Sequence, residues 1–118
     1  MLADKLISFA NSPRTPRYRD LWDIPWIIGN RGWDIDAVAR MVALKHSDYG
    51  CAEDLPELLN SGSARATELV ASGEFARQMQ RSIPSTSFET TIGHPGYVEA
   101  LAARITDAYA DVTRRLRP

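Results

Sequence analysis

Residues 97–116, YVEALAARITDAYADVTRRL, decide the fold class. Apolar side chains fall at Val98, Leu101, Ile105, Ala108, Tyr109, Val112 and Leu116. Their steps of three, four, three, one, three and four trace one face of an α-helix. Arg114, Arg115 and Arg117 close the segment, where cations suit the negative end of the helix dipole. The spacing predicts one continuous helix over 97–116.

Upstream, residues 82–96 (SIPSTSFETTIGHPG) are rich in Pro, Gly, Ser and Thr and read as a long irregular segment. ETTIG within it is the weakest hint of a strand. Residues 74–83 read as a short helix. SARATELVASGEF (63–75) reads as a helix capped by Ser63, with Leu69 and Val70 inward and Gly73 near its end. Asp54-Leu55-Pro56 opens a helix that buries Leu55, Leu58 and Leu59 and that Gly62 is expected to interrupt. Asp34 is a good N-cap for residues 35–50, whose inner stripe is Ile35, Val38, Met41 and Val42, with Lys45 at its edge and Gly50 as stop. A further helix starts near Tyr18 and carries Leu21, Trp22, Ile24, Ile27 and Ile28. Pro25 is expected to kink or divide it, and Gly29 and Gly32 mark the following turn. The first helix carries Leu2, Leu6, Phe9 and Ala10 on one face and ends at Asn11, Ser12, Pro13 and Pro16. The expected fold is all-α, a compact bundle of about five to seven helices forming one domain over 1–118.

Composition agrees. The chain has 118 residues, 44% hydrophobic and 25% charged, which suits a globular domain able to bury roughly two thirds of its unfolded surface. Fourteen Lys and Arg against fifteen acidic residues give a net charge of -1, so overall charge does not favour nucleic-acid binding. The one cysteine, Cys51, excludes an internal disulfide and a multi-cysteine zinc site and fits a reducing, cytoplasmic setting. No apolar run is long enough to span a bilayer, so no membrane is expected as partner. Neither His46 nor His94 has a neighbour at metal-ligand spacing, and no glycine-rich phosphate loop is present.

Chemistry concentrates in residues 2–28, LADKLISFANSPRTPRYRDLWDIPWII. Asp4, Lys5, Asp20 and Asp23 stand among Leu, Ile, Phe and Trp, where charge is costly unless paired or ligand-bound. Asp20 and Asp23 are three apart on one helix face, flanked by Arg17 and Arg19. One reading makes Asp20 a helix-start residue paired with an arginine. The other makes these groups, with Lys5, a cleft for a phosphate or a metal-bound nucleotide. Trp22, Trp26 and Trp33 read as core aromatics before base-stacking platforms.

The two elements LADKL (2–6) and RDLWD (19–23) resemble a motif pair of the AbiEii/AbiGii toxin family of nucleotidyltransferases, covering about 25 residues. In that family a Glu-hydrophobic-Ala-Asp-Lys-Leu helix is followed by a loop and an Arg-Asp-hydrophobic-aromatic-Asp helix, and a helical tail ends the chain; here LADKL matches the first element without its Glu. The resemblance implies an NTP- and Mg²⁺-dependent nucleotidyltransferase from an abortive-infection or toxin–antitoxin pair. It implies Lys5 near the triphosphate together with Arg19, and Asp20 or Asp23 completing the active site. The family's N-terminal α/β half, with its Gly-Ser turn and metal-binding carboxylate pair, has no counterpart here. The chain is therefore expected to be a fragment, inactive alone and without a cofactor of its own.

Its expected partners are a second copy of itself, an antitoxin or the catalytic half, met through exposed Leu2, Leu6, Phe9 and Trp22 or Trp26; an intact enzyme would take tRNA as acceptor. The alternatives are a small helical interaction module, or an RNA-binding module using Arg14, Arg17, Arg19 and the C-terminal arginines.

Overall fold

A computed structural model describes residues 2–12, 14–31, 33–51 and 53–116, with backbone alone at 30 and 31. The expectations attached to Pro13, Gly32 and Arg117 lie outside them. The described residues form α1 (Leu2–Ala10), α2 (Tyr18–Arg31), α3 (Ile35–Asp48), α4 (Leu55–Ala71), α5 (Glu74–Ser82), α6 (Ser85–Thr90) and α7 (Tyr97–Leu116). No strand occurs among them, and the fold is an all-α bundle of seven helices there. No helix is long and apolar enough to cross a membrane among the described residues.

The apolar stripe of residues 97–116 becomes one unbroken helix, α7, which buries Leu101, Ile105, Ala108, Tyr109 and Val112. It lies along α4 and also touches α3 and α2. The centre of the bundle is α1. Leu2, Ala3, Leu6, Ile7, Phe9 and Ala10 are all buried, so apolar groups nearly encircle it. A short helix of that kind is stable only when neighbours surround it, and α2, α3 and α4 do so. This corrects the expectation of an exposed apolar face, because Leu2, Leu6 and Phe9 lie inside the chain's own core. Tyr109 reaches across from α7, and its hydroxyl donates to the Leu6 carbonyl at 2.7 Å.

Several local expectations are corrected. Gly62 does not interrupt a helix, and Ser63 is not a cap. Both sit inside α4, where the bare Gly62 backbone admits Ala10 of α1. Gly29 lies inside α2 rather than in the turn after it, and Pro25, of the two outcomes expected there, does not divide that helix: its missing N–H is one local defect within it. The segment 82–96 contains α6, which starts just after Pro84, and ETTIG spans the end of that helix and the turn after it. Other boundaries agree. Asp34 caps α3, its carboxylate accepting from the N–H of Asp36 at 3.0 Å and of Ala37 at 3.3 Å. Asp54 stands at the start of α4, with no side-chain capping bond.

Candidate functional site

The turn after α1 folds α2 back onto it, and the charged residues of both helices meet at one edge. Lys5 on α1 places its ammonium 3.4 Å from Asp20 Oδ1 and 3.1 Å from Asp23 Oδ2. The remaining oxygen of each carboxylate faces an arginine. Arg17 Nε donates to Asp20 Oδ2 at 2.8 Å, and Arg19 Nε donates to Asp23 Oδ1 at 3.4 Å. The edge therefore alternates in sign: Arg17, Asp20, Lys5, Asp23, Arg19. Three cations against two carboxylates leave it one positive charge in excess.

Depth sorts these groups. Asp20, in the first turn of α2, is 1% exposed, whereas Asp23 is 24% and Lys5 28% exposed. Arg17 and Arg19 lie outermost. A carboxylate as buried as Asp20 is tolerable only beside cations, and Lys5 and Arg17 are those cations. Asp20 Oδ1 receives no hydrogen bond and meets Lys5 only as an ion pair. The hydrogen bond to Asp23, then the charges of Asp20 and Asp23, outweigh desolvation and raise the Lys5 pKa above its ordinary value. Lys5 is thus a fixed, fully charged ammonium at neutral pH. Its chain neighbour Asp4 pairs with Lys45 of α3 at 3.0 Å, so α1 is tied on two sides.

The residues singled out in the sequence, Lys5, Arg17, Arg19, Asp20 and Asp23, are thus brought together. Other candidates are not. Arg14 is exposed in the loop. Arg114 pairs with Asp111, and Arg115 pairs with Asp36 at 3.0 Å. Asp34 and Asp36 form an Asp-x-Asp pair in sequence, but one caps α3 and the other holds Arg115. His46 Nε2 lies 2.7 Å from the Glu53 carbonyl, and His94 Nδ1 lies 3.2 Å from the Pro95 carbonyl. Both are local loop contacts.

Beyond the charged edge, α2 and α7 enclose an open cleft of about 340 Å³ lined by Trp22, Pro25, Trp26, Gly29, Tyr97 and Arg104. Trp22 packs on Tyr97 with ring centroids 6.4 Å apart, and Trp26 is 53% exposed. Reading Trp26 as core is corrected by that exposure. Tyr97 and Arg104 carry no sequence signal for this role, since only the tertiary pairing of α2 with α7 brings them to the tryptophans. Arg65 of α4 is a third residue without a sequence signal: it donates to the carbonyls of Phe9 (3.3 Å) and Ala10 (2.8 Å) at the end of α1.

Fold and site define an all-helical domain with a paired, slightly cationic edge between its first two helices. No family model, curated protein or solved structure matches the chain.

Proposed function

We propose that this chain is the helical part of a nucleotidyltransferase of the AbiEii/AbiGii type, and that the α1–α2 edge faces the phosphates of the nucleotide. The observation that carries the reading is Lys5: two separate motif elements, LADKL and RDLWD, meet through its ammonium, held between Asp20 and Asp23. A compact ammonium with a raised pKa and an outward arginine suits a polyphosphate, and the edge carries net positive charge. In this reading Lys5 and Arg19 receive the phosphates, with Asp23 beside them. Asp20 is too deep to touch a ligand and acts as a positioning residue, fixing Lys5 from below.

The Mg²⁺ that the resemblance implies does not fit these residues. Both carboxylates are already engaged by cations, and no group of three or more His, Cys, Asp or Glu among the described residues could hold a metal ion. The reading assigns the metal to the family's carboxylate pair, and docks the half that carries it against the α1–α2 edge.

The test is binding of inorganic tripolyphosphate, followed by NMR on the isotopically labelled chain. Saturable shifts at Lys5 and Arg19, lost in Lys5→Met, are expected. A titration to about 10 mM, tenfold above the weakest ordinary KM, that moves neither residue overturns the reading. Incubation of the chain alone with labelled NTPs, Mg²⁺ and total tRNA is expected to leave the RNA unlabelled.

A further inference from the structure

We infer that the α2–α7 cleft is a nucleobase subsite, in which a base stacks on Trp26 and Arg104 lies against the sugar-phosphate side of the same nucleoside triphosphate. The inference rests on the phosphate-facing reading of the α1–α2 edge and adds to it the groups that would select the base.

Helix geometry links the two regions. Arg19, Asp23 and Trp26 stand at i, i+4 and i+7 of α2 and so share one edge of that helix. Trp26 is one turn beyond Asp23, about 4.5 Å along the axis, and about 10 Å beyond Arg19. A nucleotide with phosphates at Lys5 and Arg19 would therefore carry its base toward Trp26. Trp22, Pro25 and Gly29 turn the neighbouring face of α2 into the cleft, whose opposite wall is Tyr97 and Arg104 of α7.

The cleft has the chemistry of a base site. Its floor is the Trp22–Tyr97 ring pair, and its outer wall is an indole more than half exposed to solvent. A flat π-system of any base can stack on such a wall. The charged group lining the cleft is a guanidinium, which stacks on planes and pairs with phosphate oxygens. Gly29 faces Arg104 across the cleft, where a Cβ would lie 4.0 Å from Arg104 Nη1, an ordinary contact. Lys5, Arg17 and Arg19 pair with Asp20 and Asp23 and leave the α1–α2 edge one positive charge in excess, and Arg104 adds a second along the same route. A ligand that is planar at one end and polyanionic at the other is complementary to that sequence of groups. An apolar protein surface is not, because it would cover the Arg104 guanidinium and the cationic edge without supplying an anion.

The experiment separates the two ends of the ligand. The labelled chain is titrated with adenosine, with inorganic tripolyphosphate and with ATP, and the tryptophan indole and backbone signals are followed. Adenosine is expected to shift the Trp26 indole without moving Lys5, and tripolyphosphate to shift Lys5 and Arg19 without moving the Trp26 indole. ATP should move both sets and bind at least tenfold tighter than either part, since joining the parts makes the second contact intramolecular. Trp26→Ala should weaken ATP about tenfold, in line with the loss of one stacked base, and leave tripolyphosphate binding unchanged. Arg104→Met should also weaken ATP. Retained tripolyphosphate binding shows that Trp26→Ala is folded. Adenosine without a saturable effect on Trp26, or ATP affinity indifferent to Trp26→Ala, overturns the base subsite even if tripolyphosphate binds at Lys5. Tripolyphosphate without effect at Lys5 and Arg19, with adenosine still binding at Trp26, overturns the phosphate edge instead.

Discussion

Gly62 of α4 lies against Ala10 of α1 so closely that a Cβ at position 62 would sit 2.8 Å from the Ala10 Cβ and 3.1 Å from its Cα. Real Cβ contacts are not that short, so the absence of a side chain is what lets α4 meet the end of α1. Propensity alone favours Gly62→Ala by about 1 kcal/mol. Forcing a methyl into the contact costs about 1–3 kcal/mol. The contact wins, and Gly62→Ala is expected to lower the unfolding free energy by roughly 1 kcal/mol. Urea denaturation checks it, and adding Ala10→Gly should recover part of the loss.

That contact also explains which parts of the fold were legible in the sequence. The α7 stripe and the Asp34 cap are local signals, since period and capping chemistry are written within a few residues. Gly62 and Pro25 carry the local signature of breaks, but tertiary packing overrides it in both. The first helix reads as half-apolar, yet burial on nearly all sides comes from three neighbours that no local pattern reveals. The same holds at the site. Spacing on one helix was enough to group Asp20 with Asp23, and the proline-containing connection brought Lys5 to them. Tyr97 and Arg104 come from some seventy residues away and reach Trp26 only through the pairing of α2 with α7.

Lys5→Met tests the charged edge energetically. It leaves Asp20, 1% exposed, with Arg17 as its remaining ion partner. Breaking a fully buried pair costs about 3–5 kcal/mol, but Lys5 is partly solvated and Arg17 remains, so a loss of roughly 2 kcal/mol is expected. Asp23→Asn, at the wetter end of the same edge, should cost less than about 1 kcal/mol. Chemical denaturation of the two variants measures the difference. Equal effects would contradict the depth ordering of the two carboxylates.

Arg65→Met removes the guanidinium that caps the end of α1 through the Phe9 and Ala10 carbonyls and lies 5.5 Å from the Phe9 ring centroid. Each hydrogen bond with a charged donor contributes about 1.5–3 kcal/mol when well made. Arg65 is only partly buried, and the Phe9 bond is long. A net loss of about 1–2 kcal/mol is expected, read as a lower thermal midpoint. A midpoint equal to that of the parent would show that water caps α1 as well as Arg65 does.

Tyr109→Phe tests the link between α7 and α1 and gives the chain a pH signature. The Tyr109 ring is 1% exposed, and its hydroxyl donates to the Leu6 carbonyl. Burial pushes its pKa far up, the charge of Asp20 adds to that, and Arg65 opposes it. A folded-state pKa above the unfolded value means that the fold favours the protonated phenol. That stability is fully present below the unfolded pKa of about 10 and is lost as pH rises above it, because only the unfolded chain releases the proton. Lys5 and Lys45, both raised by their carboxylate partners, act in the same direction. At pH 7 the variant should be less stable by about 1 kcal/mol for the lost hydrogen bond. Above pH 10 the parent should lose about 1.4 kcal/mol per pH unit through Tyr109 alone. The variant keeps the lysine contributions and lacks that one. The gap between the two proteins should therefore narrow and then reverse between about pH 10 and 11.5. Guanidinium denaturation at several pH values measures it directly, and a gap that stays constant through that range would mean that the Tyr109 phenol ionises within the folded chain.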